Sequence, residues 1–211
     1  DLGSSEPSPV ERDYYGSAEA LEQAAKLIAQ AKQPLILAGH GVLLSKARAE
    51  LMKIAETLNI PVINTLHGSG IMPYGHPLHI GMLGMHGLYW CNLAVQQADL
   101  ILGVGLRFDD RITGRPGTFA PNAKIIHVEI EHTQVNKNVV ADVPLYGDAQ
   151  ETLTRLISYV KPKKHSTWIK QVESLRKHHP SLDIPVTSEL LPQYVLSRIN
   201  ARIAQQDKPT I

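Results

Sequence analysis

Hydrophobic positions follow two different spacings along this chain. Short continuous apolar runs predict buried strands at PLILA (34–38), IPVINT (60–65), LILGVG (100–105), AKIIHVEI (123–130) and in a segment ending near Tyr146. Apolar residues at helical spacing predict helices over 18–32, 46–59, 87–98 and 149–160. Ser17, Ser45 and Asp148 precede three of these helices and are predicted to be their N-caps.

The alternation of strand and helix is typical of a parallel sheet covered by helices on both faces. We therefore predict a three-layer α/β domain over residues 17–162, preceded by a polar, Pro-rich linker or arm (1–16). The stretch 66–87 is rich in Gly, His and Met and is predicted to be one long loop. After Pro162 no further strand is predicted, so residues 163–211 are expected to form a helical linker toward another domain of a longer polypeptide. In that linker, one side of the first helix carries Trp168, Val172 and Leu175.

The composition argues against nucleic-acid-binding, membrane-spanning and disulfide-bonded classes of protein. The chain has 211 residues, 21 of them basic and 20 acidic, and lacks the basic stripe of a nucleic-acid-binding protein. Its apolar runs are all shorter than a membrane span, so neither a nucleic acid nor a membrane is expected as a partner. The single cysteine, Cys91, excludes an internal disulfide and fits a reducing compartment. We expect a bacterial cytoplasm, with a plastid as the alternative.

Glycine and polar residues follow each predicted strand, at GHG (39–41), TLHG (65–68), GLRFDDR (105–111), EIEH (129–132) and GD (147–148). The carboxyl ends of parallel strands share one edge, which is where open α/β sheets bind their ligands. Four glycines would let the backbone approach a ligand closely: Gly39, Gly41, Gly84 and Gly105. Arg107 and Arg111 can bind a pyrophosphate, Asp109 can accept from hydroxyls or hold an arginine, and Glu129 can bind a ribose. These residue types predict a dinucleotide across the sheet edge.

Plainer interpretations stay open at this point. GHGVLL lacks the third glycine of a GxGxxG fingerprint. The Arg/Asp cluster could equally consist of surface ion pairs. His76 and His79 have a spacing that metal ligands use, but ordinary loop histidines are the better interpretation, so no metal site is predicted. No catalytic residue is predicted either, because the chain has no nucleophile elbow and no phosphate-binding Walker loop.

Two motifs, MLGMHG (82–87) and RFDDRITG (107–114), resemble the large, catalytic subunit of acetohydroxyacid synthase, also called acetolactate synthase. The segments AKIIHVEIEHTQVNKN and GDA extend the resemblance, which covers nearly the whole chain and points to the central domain of that enzyme. It implies a Rossmann-like fold that binds FAD, in a largely structural role, between two outer domains that bind thiamine diphosphate and Mg²⁺. The full enzyme decarboxylates pyruvate and joins the two-carbon unit to a second 2-ketoacid, on the way to branched-chain amino acids.

The resemblance also implies a homodimer or homotetramer with a small regulatory subunit, and no activity for this chain alone. It assigns FAD contacts to Gly39, His40, Gly41, Thr65, Leu66, His67, Leu83, Gly84, Met85, His86, Gly105, Arg107, Asp109, Arg111, Ile112, Glu129, Ile130, Gln134, Gly147, Asp148 and Ala149. Asp110, Arg111 and Met85 would also face the substrate channel. His40 departs from the family, which often has Gly or Ala there, and the thiamine-activating Glu and the Mg²⁺ motif have no counterpart in this chain.

Two other functions remain alternatives. One is the central domain of a sister thiamine-diphosphate enzyme, an oxidase or carboligase, although such enzymes usually lack RFDDR. The other is a non-enzymatic nucleotide-binding module or an NAD-dependent deacylase-like protein. The deacylases usually need a four-cysteine zinc site, which a chain with one cysteine does not provide.

Overall fold

The computed structural model describes residues 16–73, 75–180 and 190–203. Its strands are β1 (Pro34–Ala38), β2 (Val62–Asn64), β3 (His79–Met82), β4 (Leu100–Val104), β5 (Lys124–Glu129) and β6 (Val143–Tyr146). Its helices are α1 (Ala18–Gln30), α2 (His40–Leu44), α3 (Arg48–Leu58), α4 (Tyr89–Gln97), α5 (Asp110–Thr113), α6 (Ala149–Tyr159), α7 (Ser166–His178) and α8 (Pro192–Ile203). The described residues up to His179 form one compact unit, and those from Pro180 onward, with α8, form a second.

The strands form one six-stranded sheet in the order β3-β2-β1-β4-β5-β6. Every pairing in it is parallel. The order reverses between β1 and β4, so the connections leaving these two strands run to opposite sides. The predicted α/β fold with a parallel sheet is confirmed.

Both faces of the sheet are buried, because alternate residues of each strand point to opposite sides. Ile36 of β1 packs with helices α1, α3 and α6 in one apolar cluster. Leu35 packs with helices α4 and α7 in a second cluster on the other face. This is the three-layer arrangement predicted from the strand and helix pattern.

Helix α7 forms part of the first compact unit. Its apolar side is the predicted one: Trp168 and Val172 are buried in the second cluster, and Leu175 packs against it. The indole Nε1 of Trp168 donates to the carbonyl of Pro34 at 2.9 Å, which ties α7 to the start of β1. The boundary after Pro162 stays a prediction about the longer polypeptide, and the predicted arm lies almost wholly outside the described residues.

Two local predictions were wrong. Stretch 66–87 is not one loop, because it contains the edge strand β3, whose residues are only partly buried. Its residues, HIGM, include a histidine and a glycine, so no continuous apolar run marks this strand. Gly81 has a positive φ of 123°, and the β2–β3 register shifts beside it. Ser45 ends the short helix α2 instead of starting α3, which begins at Arg48. The predicted caps Ser17 and Asp148 are confirmed, since each accepts a backbone N–H of the helix that follows.

Candidate functional site

The turns after β1 and β4 meet at the point where the strand order reverses. The backbone N–H of Gly41 donates to the carbonyl of Gly105 at 3.0 Å, and that of Gly39 donates to Val104 at 2.9 Å. A Cβ atom on Gly39 would lie 2.2 Å from the carbonyl oxygen of Gly105. These glycines therefore allow the backbone after β1 to pack directly against the backbone after β4. Together they place the start of α2 beside the end of β4.

A cleft of about 270 Å³ opens next to this junction. It is lined by Gly41, Leu44, Ser45, Gly105, Val128, Glu129, Ile130, Gly147, Asp148 and Ala149. The structure thus brings together residues predicted from four different strand ends. Leu44, Ser45 and Val128 were missed: Ser45 was interpreted as a helix cap, Val128 as part of a buried strand, and Leu44, between a predicted strand and a predicted helix, was not singled out. The Ser45 hydroxyl oxygen is buried and has no hydrogen-bond partner among the described residues.

Two carboxylates line the cleft, and each accepts hydrogen bonds from backbone N–H groups of the neighbouring chain. Oδ1 of Asp148 accepts from the N–H groups of Gln150 and Glu151 at the start of α6. Oε1 of Glu129 accepts from the N–H groups of Ile130 at 2.9 Å and Glu131 at 3.1 Å. One oxygen of each carboxylate is therefore committed to fixing the cleft wall.

The Glu129 carboxyl group is buried, and burial raises its pKa above the usual 4.5, while its two N–H donors act in the opposite direction. A raised folded-state pKa makes the charged form a cost to stability above that pKa, and the cost vanishes as pH falls below about 4.5. We therefore expect Glu129→Gln, which keeps an acceptor for both N–H groups, to be more stable than wild type at pH 7. The difference should shrink as pH is lowered toward 4 in urea unfolding curves. A pH-independent difference would show that charge burial is not its cause.

The charged loop after β4 presents alternate residues to the core and to solvent. Leu106 and Phe108 are buried, whereas the Arg107 side chain between them is 67 % exposed. Nη2 of Arg107 lies 3.7 Å from Oδ2 of Asp109, a long and solvent-exposed pair that contributes little to stability. The guanidinium group remains available for an anion.

Asp109 and Arg111 order the loop that follows. Oδ1 of Asp109 accepts from the N–H of Arg111 at 3.2 Å and caps α5. The carbonyl of Arg111 in turn accepts from the N–H of Met85 at 2.9 Å, and Nη1 of Arg111 lies 3.6 Å from the Met85 sulfur. The motifs MLGMHG and RFDDRITG, which are separate in sequence, therefore form one surface. Asn92 holds the first of them from α4 through both the N–H and the carbonyl of Gly84.

The loop after β2 completes this edge. Oγ1 of Thr65 accepts from the N–H of Gly68, and the His67 ring lies 5.9 Å from the His40 ring across the turn after β1. Exposed large apolar side chains occur after four of the strands, namely Leu44, Leu66, Met85 and Ile130. All four therefore lie at the carboxyl edge of the sheet, where the ligand site was predicted. By contrast, the predicted contact Leu83 is buried in the second core cluster.

The remaining predicted contacts lie outside the lining of the cleft. His86 is exposed in the MLGMHG loop, Ile112 packs against the second core cluster, and Gln134 ends a short 3-10 turn after β5.

His76 and His79 do not converge on a common point. Nε2 of His76 pairs with Oε1 of Glu56 at 3.2 Å, and Nε2 of His79 pairs with Oδ1 of Asn64 at 2.7 Å. Burial lowers the pKa of His79, with His76 and Arg176 adding to the effect. Across residues 16–73, 75–180 and 190–203, no group of three or more His, Cys, Asp or Glu side chains is arranged to hold a metal ion.

Comparison with known proteins decides the family. The family described as "Thiamine pyrophosphate enzyme, central domain" matches residues 21–156. The chain belongs to this family. This confirms the family resemblance predicted from MLGMHG and RFDDRITG.

Within the described ranges, no helix is both long and apolar enough to cross a membrane.

Three relatives with high similarity are named as acetolactate synthase large subunits, two of them as probable ones. The chain is 44% identical over 169 residues to a probable acetolactate synthase large subunit of Methanocaldococcus jannaschii, covering 79% of this chain and 28% of the relative. It is 43% identical over 204 residues to one of Methanococcus aeolicus, covering 89% and 33%. It is 40% identical over 192 residues to the acetolactate synthase large subunit of Corynebacterium glutamicum, covering 88% and 31%. The chain spans about a third of the length of these relatives.

Proposed function

We propose that this chain is the central, FAD-binding domain of an acetolactate synthase large subunit. The names of its relatives support the enzyme, and the RFDDRITG motif favours it over a sister oxidase or carboligase. The site residues assigned above to FAD are proposed as its contacts, with the nucleotide lying across the carboxyl edge of the sheet.

One observation carries the FAD proposal: the cleft beside the β1–β4 junction is lined by glycine and aliphatic residues around a buried hydroxyl group. FAD combines flat apolar ring systems with hydroxyl groups and a doubly charged pyrophosphate. The cleft walls Leu44 and Ile130 suit a ring system, and Ser45 Oγ lacks the partner that a ligand polar atom would supply. The exposed guanidinium groups of Arg107 and Arg111 suit the pyrophosphate.

The chemistry of the whole enzyme would reside largely outside this chain. We propose that other domains of the full subunit bind thiamine diphosphate and Mg²⁺, decarboxylate pyruvate, and transfer the two-carbon unit to a second 2-ketoacid. In that arrangement the central domain orders the FAD, and Asp110, Arg111 and Met85 border the path to the thiamine cofactor. A homodimer or homotetramer with a small regulatory subunit, in the bacterial cytoplasm, completes the proposal.

A fluorescence titration tests the FAD proposal. We expect the purified 211-residue chain to quench FAD fluorescence saturably, with FMN and NAD competing far less well. The same titration on the full-length subunit shows whether flanking segments add affinity. A preference for NAD would instead favour a nicotinamide-binding module, and failure of both proteins to bind FAD would rule the proposal out.

A further inference from the structure

A histidine lies beneath the charged loop in the core of the sheet. His127, in the middle of β5, is fully buried between Gly103 of β4 and Pro144 of β6. The Phe108 ring packs edge-on against the His127 ring at 4.9 Å. A Cβ atom on Gly103 would lie 2.8 Å from that phenyl ring, so the glycine makes room for it. The His127 ring therefore lies directly beneath the loop that carries Phe108.

Among the described residues the imidazole makes one hydrogen bond, and its partner lies in the loop. Nε2 of His127 lies 2.8 Å from the carbonyl oxygen of Leu106. A carbonyl only accepts, so Nε2 carries the proton. Nδ1 is buried and has no hydrogen-bond partner in the described part of the chain. An aliphatic side chain would fill this space without leaving a buried nitrogen unsatisfied, so the bond to Leu106 is what distinguishes histidine here.

The loop needs such support, because its backbone is unusual. Gly105 has φ of 59°, and Phe108, which is not a glycine, has φ of 45°. Left-handed backbone at a non-glycine residue persists only where its surroundings hold it. The carbonyl of Phe108 accepts from Nδ2 of Asn138 at 3.1 Å, and the carbonyl of Leu106 is held by His127. The exposed Arg107 lies between these two anchors.

We infer that His127 is a positioning residue: its Nε2–H bond to Leu106 fixes the 105–109 turn so that Arg107 and Asp109 are held toward the nucleotide. Its relation to the ligand rests on the proposed function, whereas its ordering of the loop does not. Burial lowers the pKa of His127, in keeping with a neutral ring.

The matched variants are His127→Leu, which removes the donor, and His127→Gln, whose amide nitrogen can replace Nε2. His165→Leu is the control, because His165 is also buried and bonds backbone carbonyls, those of Leu58 and Ala31, before strands β2 and β1. We expect His127→Leu to weaken FAD binding about tenfold, with His127→Gln restoring most of it and His165→Leu leaving it unchanged.

Two readouts do not depend on FAD. Trypsin cleavage after Arg107, measured relative to cleavage after the exposed Lys177 in the last turn of α7, should rise about tenfold in His127→Leu and not in His127→Gln or His165→Leu. Imidazole ¹⁵N shifts of the wild-type protein should show the Nε2–H tautomer, and this measurement stands even if His127→Leu does not fold. An Nδ1–H tautomer, or unchanged cleavage in His127→Leu, overturns the inference. If wild type does not bind FAD while the cleavage and tautomer results hold, the proposed function fails and the ordering of the loop stands.

Discussion

Replacing Gly105 by alanine is expected to lower the free energy of unfolding by about 2–4 kcal/mol, because strain and overlap act together at this position. Its φ of 59° is unfavourable for any residue with a Cβ atom. That Cβ would lie 2.6 Å from the Cα of Gly41 and 2.9 Å from the backbone nitrogen of Val42. Both are backbone atoms, which cannot move to another rotamer as a side chain can. The turns after β1 and β4 would therefore have to separate. FAD affinity should fall with stability, since the cleft is built on this junction.

Gly117→Ala is the matched control for this substitution. Gly117 is exposed, and a Cβ atom on it would meet no atom within 4 Å. We expect its effect to stay within about 0.5 kcal/mol of wild type. Urea unfolding, followed by the fluorescence of the buried Trp90 and Trp168, gives the free energy of unfolding of each variant. Equal stabilities for Gly105→Ala and Gly117→Ala would mean that the junction is not tightly packed.

Replacing Arg107 by alanine should weaken FAD binding by about 1.5–3 kcal/mol, the range for a hydrogen bond to a charged group. That corresponds to roughly 10- to 150-fold in the dissociation constant. Folding stability should change little, because the guanidinium group is exposed and its pairing with Asp109 is long. A titration of each protein with FAD gives the affinity, and urea unfolding gives the stability.

Arg115→Ala provides the control, since it removes the same charge from the same loop region at a position not assigned to FAD. Raised salt should weaken FAD binding to wild type more than to Arg107→Ala, because screening acts on the charge that the variant lacks. An FAD affinity in Arg107→Ala equal to that of wild type would remove Arg107 from the proposed site. A loss as large in Arg115→Ala would point to general surface charge as the cause.

Much of the fold could be predicted because its strands are buried on both faces. Runs such as PLILA and LILGVG are continuous and apolar, and every strand predicted from such a run is present. Strand β3 escaped prediction because it lies at the sheet edge, is half-buried and contains Gly81. The start of α3 was misplaced because Ser45 has the side chain of an N-cap, while the short helix α2 ahead of it uses Ser45 as its end.

The sequence indicated where a site would lie but not how its parts connect. Parallel strands bring their carboxyl ends to one edge, so the turns at Gly39, Gly105 and Gly147 could be grouped in advance. The resemblance placed Met85 and Arg111 at one channel, but the strand pattern could not give their backbone contact, because Met85 follows the unpredicted strand β3. The glycines were predicted for approach to a ligand, whereas Gly39 and Gly41 pack against the backbone of Gly105. The role of His127 also required its packing, because a histidine inside an apolar strand gives no signal of the loop above it.

Amide hydrogen exchange with and without saturating FAD tests the central proposal most directly. We expect FAD to slow exchange at the carboxyl edge, in segments 39–45, 83–87, 105–112, 129–131 and 147–149. Segments 31–33 and 161–165, which precede the sheet or lie away from this edge, should be unchanged and serve as the internal reference. Protection confined to the carboxyl edge would support an FAD site built on the β1–β4 junction. Protection of 161–165 with none at the junction would contradict it.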